Sequence, residues 1–254
     1  MLPAISLITP SFNQGAFIRQ TVESVLGQGY PALDYRVVDG QSTDQTLAVL
    51  RPYSDRLHLI SEPDRGQTHA LNKGLRAASG DIVGWINADD YLLPGALETV
   101  GRFFADHPQV QWLTGDCLIV DRHSRRIQEP IRRYKRTLRA LPPPAYLGLT
   151  NAICQPATFW RRAVHDRLGY LDETLRYTMD YDWWLRLAQL QPPARVPHTL
   201  AAFRVHESSK GGSQFVAQFR EDYQTLLRSH PPAWVRFLHR AHNAAIVGLY
   251  SLIK

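Results

Sequence analysis

The chain has 254 residues, a formal net charge of +6, 44% hydrophobic residues and six Trp, enough for one large α/β domain or a domain with an appended subdomain. Its two cysteines, Cys117 and Cys154, have neither metal-ligand spacing nor a pairing pattern, which excludes a disulfide scaffold or zinc module and makes a reduced intracellular setting the expectation. MLPAIS at the start carries no charged leader ahead of an apolar stretch, and no run approaches the roughly 20 apolar residues of a membrane span, so neither a signal peptide nor a transmembrane helix is expected.

From the N-terminus, apolar residues 5–9 predict a short strand ending at Pro10. Phe17, Ile18, Val22, Val25 and Leu26 then recur at three- and four-residue spacing, as one face of a helix does. Residues 35–38 predict a second strand closed by Asp39-Gly40, and Ser42 or Thr43 offers an N-cap to the segment carrying Leu47, Val49 and Leu50. A third strand is expected over 57–60, a helix over 68–78 with Gly80 as its C′ residue, and a fourth strand over 82–86. Strands alternating with helices in this rhythm predict an α/β fold: a Rossmann-like, mostly parallel sheet with helices on both faces. Parallel strands bring their C-terminal ends to one edge, where open α/β sheets present a ligand crevice. Four polar segments fall on that edge: Pro10 to Asn13, Asp39 to Ser42, Glu62 to Arg65, and Asn87 to Asp90.

The last segment is the most informative. Asn87-Ala88-Asp89-Asp90 follows directly on the apolar run, and two adjacent carboxylates are costly to gather unless a cation neutralises them. A hard divalent ion, Mg²⁺ or Mn²⁺, that itself holds a diphosphate suits such oxygen ligands. An Asp-Asp turn leading into a helix, with Pro94 in its first turn, accounts for the same residues, and on this motif alone both remain open. Asp39 likewise either accepts a hydrogen bond from a pyrimidine N–H or caps its own turn. No Gly-x-Gly-x-x-Gly or Gly-x-x-x-x-Gly-Lys-Ser follows the first strand, so dinucleotide and P-loop modes of phosphate binding are disfavoured.

Beyond about residue 108 the alternation stops. Residues 110–120 predict one or two strands. A basic stretch from Arg122 to Arg139 follows, with Arg125, Arg126, Arg132, Arg133, Lys135 and Arg136 opposed only by Glu129. It is either a solvated loop and helix face or a patch for phosphate-bearing acceptors or anionic headgroups. Nucleic acid is disfavoured, because only Tyr134 interleaves the charges and no reader motif is present. Leu141-Pro142-Pro143-Pro144 predicts a loop over one face, residues 157–168 and 181–190 predict helices, and residues 199–205 a strand. Segment 234–253 mixes Phe237, Leu238, Ala241 and Ile246 with Arg236, His239 and Arg240, and is either a packed C-terminal helix or one lying in a membrane interface. His239 and His242 lack a carboxylate companion and are expected at the surface.

ISLITPSFN (5–13), VVDGQSTDQT (37–46), SEPDRGQTHALNKGLRAASGDIVGWINADD (61–90) and MDYDWWLRLA (179–188) together resemble family 2 glycosyltransferases of GT-A fold, over about the first 210 residues and in the family's usual motif order. The resemblance implies an inverting enzyme that moves a sugar from a nucleotide diphosphate to an acceptor hydroxyl, usually with a divalent metal. On it, Asp39 matches the acid that holds the nucleotide base, Thr9, Pro10 and Ser11 fall in the loop packed beneath, and Asp64 and Arg65 lie near the nucleotide. Asp89 and Asp90 match the metal and ribose carboxylates, with Asn87 where the family has a first Asp. His206 falls in a segment that can reach metal or diphosphate, beside Ser208, Ser209 and Lys210. Asp180 matches the general base, with Met179 where a supporting Glu commonly precedes it; an N-cap is its plainer role. In a helix, Asp182 points about 200° away from Asp180, so the two should not share a site. Residues 155–160 resemble the acceptor-side segment, and Trp183 and Trp184 face either a sugar ring or the core.

The resulting expectation has a nucleotide-sugar half at 1–108, an acceptor subdomain with the base at 109–212 and a helical extension at 213–254. It takes a UDP-sugar and Mn²⁺ or Mg²⁺, and glycosylates a glycan or lipid-linked acceptor in surface polysaccharide synthesis. The expected location is cytoplasmic, in peripheral contact with the inner, anionic face of the membrane. Two rivals are weighed with it. Met179 and Asn87 keep open a non-catalytic nucleotide-sugar-binding protein, while a nucleotidyltransferase wants a Gly-rich, Arg- and Lys-bearing loop that SFNQG at 11–15 is not.

Overall fold

A computed structural model describes residues 1–207 and 215–253. Eight strands form one sheet: β1 (Ile5–Ser11), β2 (Leu33–Asp39), β3 (His58–Ser61), β4 (Ile82–Trp85), β5 (Tyr91–Leu92), β6 (Trp112–Val120), β7 (Thr158–Arg161) and β8 (Ala194–Arg204). Their order is β3-β2-β1-β4-β7-β6-β8-β5. The four strands expected before Asn87 are all present and mutually parallel. β7 runs antiparallel between β4 and β6, β8 lies parallel to β6, and β5 closes the edge antiparallel to β8. The sheet therefore continues across residue 108, with strands from either side of it hydrogen-bonded through the β4–β7 pair.

The helices are α1 (Ile18–Leu26), α2 (Thr46–Leu50), α3 (Gln67–Ala77), α4 (Ala96–Asp106), α5 (Glu129–Leu138), α6 (Pro143–Leu149), α7 (His165–Leu168), α8 (Met179–Leu190), α9 (Phe215–Arg228) and α10 (Ala233–Ile253). Period-two alternation along the strands explains why both sheet faces are covered. Leu7, Val37 and Ile82 enter one core with Ile18, Val22 and Val25 of α1 and Leu97 and Val100 of α4. Ile8, Val38 and Val83 enter the other with Ala70, Leu71 and Leu75 of α3 and the aromatic residues of α8. In that second core Trp184 stacks between Trp85 and Trp112, at ring separations of 5.6 and 5.8 Å.

Several expectations give way. The segment expected as a helix over 157–168 supplies β7 instead, followed by short helical turns. Thr158, Phe159 and Trp160 suit a pleated surface, and Gly84 opposite them leaves room that an added Cβ would deny, since it would sit 2.7 Å from the Phe159 ring. The prolines at 142–144 do not form a loop. They open α6, where a first-turn proline sacrifices no intrahelical bond. Neither Ser42 nor Thr43 caps α2; Asp44 accepts from the Thr46 N–H at 2.9 Å instead.

Gly80 is not a C′ residue, because α3 ends at Ala77 and Ala78 is already extended. Its value is close approach: a Cβ there would lie 2.6 Å from Ser6 N and 2.9 Å from Ala4 O. Both neighbours are backbone atoms and cannot turn aside. Gly80→Ala should therefore destabilise the protein by about 1–3 kcal/mol, read as a lower urea midpoint with an unchanged m-value.

Candidate active site

The C-terminal ends of β1, β2, β4 and β8 reach one edge of the sheet. β7 begins there, because it runs the opposite way. A cleft of about 660 Å³ opens along this edge, within the range of small-ligand sites. Pro10, Ser11, Asp64, Asn87, Asp89, Asp180 and His206 all line it, so most of the residues proposed from sequence meet in one place.

The Asn87–Asp90 turn divides its two acids between different environments. Asp89 faces the cleft, and its Oδ2 lies 2.9 Å from Nε2 of His206. The His206 ring packs on Phe17 with centroids 4.6 Å apart. Asp90 turns inward and is 1% exposed; its carboxylate accepts from the Arg204 backbone N–H at 2.8 Å and from Asn87 Nδ2 at 3.1 Å. Burial, and then the Asp89 charge beside it, hold the Asp90 carboxyl well above the usual carboxylate range. As a metal ligand Asp90 is thus misplaced, since its oxygens are committed to the protein interior. Asn87 is committed too: Oδ1 accepts from Gln67 Nε2 at 2.8 Å, and Nδ2 also reaches Gln155 Oε1 at 3.1 Å. Gln155 in turn donates to the Trp85 carbonyl at 2.8 Å.

Arg204 holds this turn, and sequence reasoning missed it. It is 1% exposed at the end of β8, sandwiched between the Phe17 and Tyr91 rings at 5.1 and 5.5 Å. Nε donates to the Asp89 carbonyl at 2.7 Å and Nη2 to Gln20 Oε1 at 2.6 Å. Nη1 reaches the carbonyls of Asp121 and Arg122 and the Ser124 hydroxyl at 3.1–3.2 Å. An arginine closing the apolar run Leu200 to Phe203, two positions before His206, was the available signal.

Other proposed residues sit behind the cleft. Thr9 is buried against the Tyr35 hydroxyl at 3.0 Å. Of the two roles left open for Asp39, the structure displays the cap: its oxygens accept from Ser42 N–H at 2.8 Å, Ser42 Oγ at 2.5 Å and Ser61 Oγ at 3.1 Å, and the residue is fully buried. Arg65 turns to the rim and pairs with Glu173 at 2.6 Å. Asp64 lines the cleft with one oxygen fixed by the Gly66 N–H at 2.7 Å. The buried Ser11 hydroxyl has no described partner although Ser11 lines the cleft. Ser208, Ser209 and Lys210 lie outside the described residues, as does the proposed boundary at 212/213.

Asp180 lines the same cleft from the first turn of α8; Thr178, not Asp180, occupies the N-cap position. Asn151 Nδ2 donates to Oδ2 at 3.0 Å, and Oδ1 accepts from the Tyr181 N–H at 2.7 Å. Burial pushes its pKa up, and these two hydrogen bonds only partly offset that. Asp182 points elsewhere, pairing with Arg186 at 2.7 Å. Trp183 and Trp184 are both fully buried, so neither presents a face to a sugar.

Glycosyl transferase family 2 matches residues 6–169. The chain belongs to that family. Among curated relatives, the uncharacterized glycosyltransferase RT0329 of Rickettsia typhi is 26% identical over 210 residues, 81% of this chain. The chain spans only 65% of that relative's length. The putative teichuronic acid biosynthesis glycosyltransferase TuaG of Bacillus subtilis is 35% identical over 121 residues, 46% of this chain and 48% of that one. Among solved structures, S. aureus TarS 1-349 in complex with UDP-GlcNAc superposes with a TM-score of 0.70 at 20% identity, covering 89% of this chain and 66% of TarS. Mannosyltransferase PcManGT from Pyrobaculum calidifontis, in complex with GDP-Man and Mn²⁺, gives 0.68 at 20% identity, covering 100% of this chain and 81% of that one. At such identities the structural matches establish the shared fold.

Arg204→Lys cannot reproduce a planar fork that reaches five acceptors. The substitution should lower unfolding free energy by about 2–4 kcal/mol, measured by urea titration, whereas Ser124→Ala should cost about 1 kcal/mol or less.

Proposed function

We propose that this family 2 glycosyltransferase is an inverting, metal-dependent enzyme that transfers a sugar from a nucleotide diphosphate, UDP by preference, to a hydroxyl of a glycan or lipid-linked acceptor. One observation carries the proposal: Asp180 and the Asp89–His206 pair line the same cleft. In-line displacement at an anomeric carbon needs a carboxylate on the acceptor side and positive charge on the diphosphate side. Asp180 takes the proton of the attacking hydroxyl as the new C–O bond forms. The bond from the anomeric carbon to the diphosphate oxygen breaks at the same time, and the electron pair leaves with the nucleoside diphosphate.

A divalent ion fits the residues present. Asp89 and His206 offer one oxygen and one nitrogen, 2.9 Å apart. Among the described residues no third His, Cys, Asp or Glu joins such a cluster. That set suits an ion that takes its remaining ligands from substrate phosphates and water. When bound, the ion would supply Lewis-acid stabilisation of the phosphoryl oxygens. The unpartnered Ser11 hydroxyl suits a polar group of the nucleotide, and Asp39 beneath it would meet a base N–H by exchanging one of its serine contacts. TuaG, by its name a teichuronic acid enzyme, supports a polysaccharide acceptor.

Nucleotide-sugar binding without catalysis is the second reading, because Gln67 already occupies the Asn87 amide oxygen. Asp180→Asn separates the two. It should cut transfer about 10²–10⁴-fold while the UDP-sugar dissociation constant, measured calorimetrically, stays within about twofold. A wild type inactive with every nucleotide sugar tried would instead favour the binding role.

The raised pKa of Asp180 sets a pH dependence. The base must be ionised, so activity rises with pH as Asp180 loses its proton. The acid limb of kcat should therefore lie above the ordinary aspartate value and vanish in Asp180→Asn. A limb at or below the ordinary value would contradict the assignment.

A further inference from the structure

The C-terminal helix packs only one of its faces. His239, buried, directs Nδ1 to the Gly148 carbonyl at 3.1 Å and Nε2 to Asp222 Oδ1 at 2.6 Å, while Asn243 donates to the same carboxylate oxygen at 3.0 Å. These contacts overturn the expectation that His239 is a surface residue without a carboxylate companion. His242 is half-buried and meets the Tyr134 hydroxyl of α5 at 2.6 Å. The helix is thus fixed on α6, α9 and α5.

The opposite face is open and apolar. Trp234, Phe237 and Leu238 are 63%, 71% and 46% exposed, and Ala241, Ala244 and Ala245 continue the same stripe in exposed positions. These positions recur at three- and four-residue spacing and span about 120° of the helix surface. A groove of about 470 Å³ with apolar walls opens beside it, and Trp234 lines both. Exposed arginines, Arg236 and Arg240, flank the stripe, and no acidic residue occurs from Ala233 to the end of the chain. Across the Tyr134 contact, α5 adds exposed Arg133, shared with Glu129, and exposed Arg136. No helix among the described residues is long and apolar enough to cross a membrane.

We propose that α10 docks the enzyme in the interface of an anionic lipid bilayer, with the apolar stripe inserted and the flanking arginines on the headgroups. The chemistry matches an interfacial helix, which buries Trp, Phe and Leu at the acyl boundary and places basic residues among phosphates. A second copy of this chain fits less well, because it would oppose one basic rim with another and offer no acid in return. The proposal is independent of the transfer mechanism, since the stripe contributes nothing to the cleft.

Co-sedimentation of the full chain with vesicles tests it. The protein should bind phosphatidylcholine vesicles containing phosphatidylglycerol and bind those of phosphatidylcholine alone far more weakly. Phe237→Asp with Leu238→Asp should reduce binding by about a hundredfold or more. Arg236→Gln with Arg240→Gln should reduce it about 30-fold, the weight of two charges at such a surface. Both variants should keep the wild-type urea midpoint, which shows that they fold and keeps this test separate from that of the transfer mechanism. Absence of wild-type binding to anionic vesicles would overturn the proposal. So would binding that both variants retain, or concentration-dependent dimerisation that Phe237→Asp with Leu238→Asp abolishes.

Discussion

A buried guanidinium holding an acidic turn is the constraint on which the candidate site depends. Two adjacent carboxylates at a strand end repel each other, and the Asn87–Asp90 turn separates them by sending one outward and one inward. The inward acid needs a donor and a nearby positive charge, and Arg204 supplies both: its backbone N–H meets Asp90 and its side chain grips the Asp89 carbonyl. The same side chain reaches Gln20 on α1 and the loop around Asp121 to Ser124, so one residue ties together the β4 exit, α1, the β6 exit and β8. Each of the three guanidinium nitrogens finds an acceptor, which makes so buried a charge tolerable. With Asp90 committed, Asp89 alone remains to face the cleft beside His206.

The sheet places the opposing groups. Its parallel half delivers Ser11, Asp64 and Asn87 to the rim in the manner of any open α/β sheet. The other half depends on β7, which enters antiparallel and carries Gln155 to the point where it can hold both the Trp85 carbonyl and the Asn87 amide. Behind that junction the stacked Trp85, Trp184 and Trp112 rings bind α8 to the sheet, and α8 carries Asp180 in its first turn. The position of the proposed base is thus set by aromatic packing in the core, while the proposed metal pair is set by the Arg204 network.

Much of this was legible in the sequence because local periodicity and strand-end chemistry coincide over residues 5–90. The first four strands, their common direction and the acids at their ends followed from alternation alone, and α8 followed from its spacing. What was not legible depended on distant partners. Thr158 to Arg161 carries spacing compatible with helix or strand, and its pairing between β4 and β6 makes it a strand. Pro143 and Pro144 read as breakers but occupy the first turn of a helix, which accepts proline. Asp222 and His239 pair across the α9–α10 hairpin, which no short-range pattern announces. Asp90 looked like the equal of Asp89 because a sequence does not show which of two neighbours turns inward.

Mn²⁺-dependent binding of UDP, measured calorimetrically in Asp89→Asn and Asp90→Asn, tests that division most directly. The structure predicts that Asp89→Asn removes the metal-dependent part of the affinity, whereas Asp90→Asn retains it and loses stability instead. Equal loss of metal dependence in both variants, or loss in Asp90→Asn alone, would contradict the account.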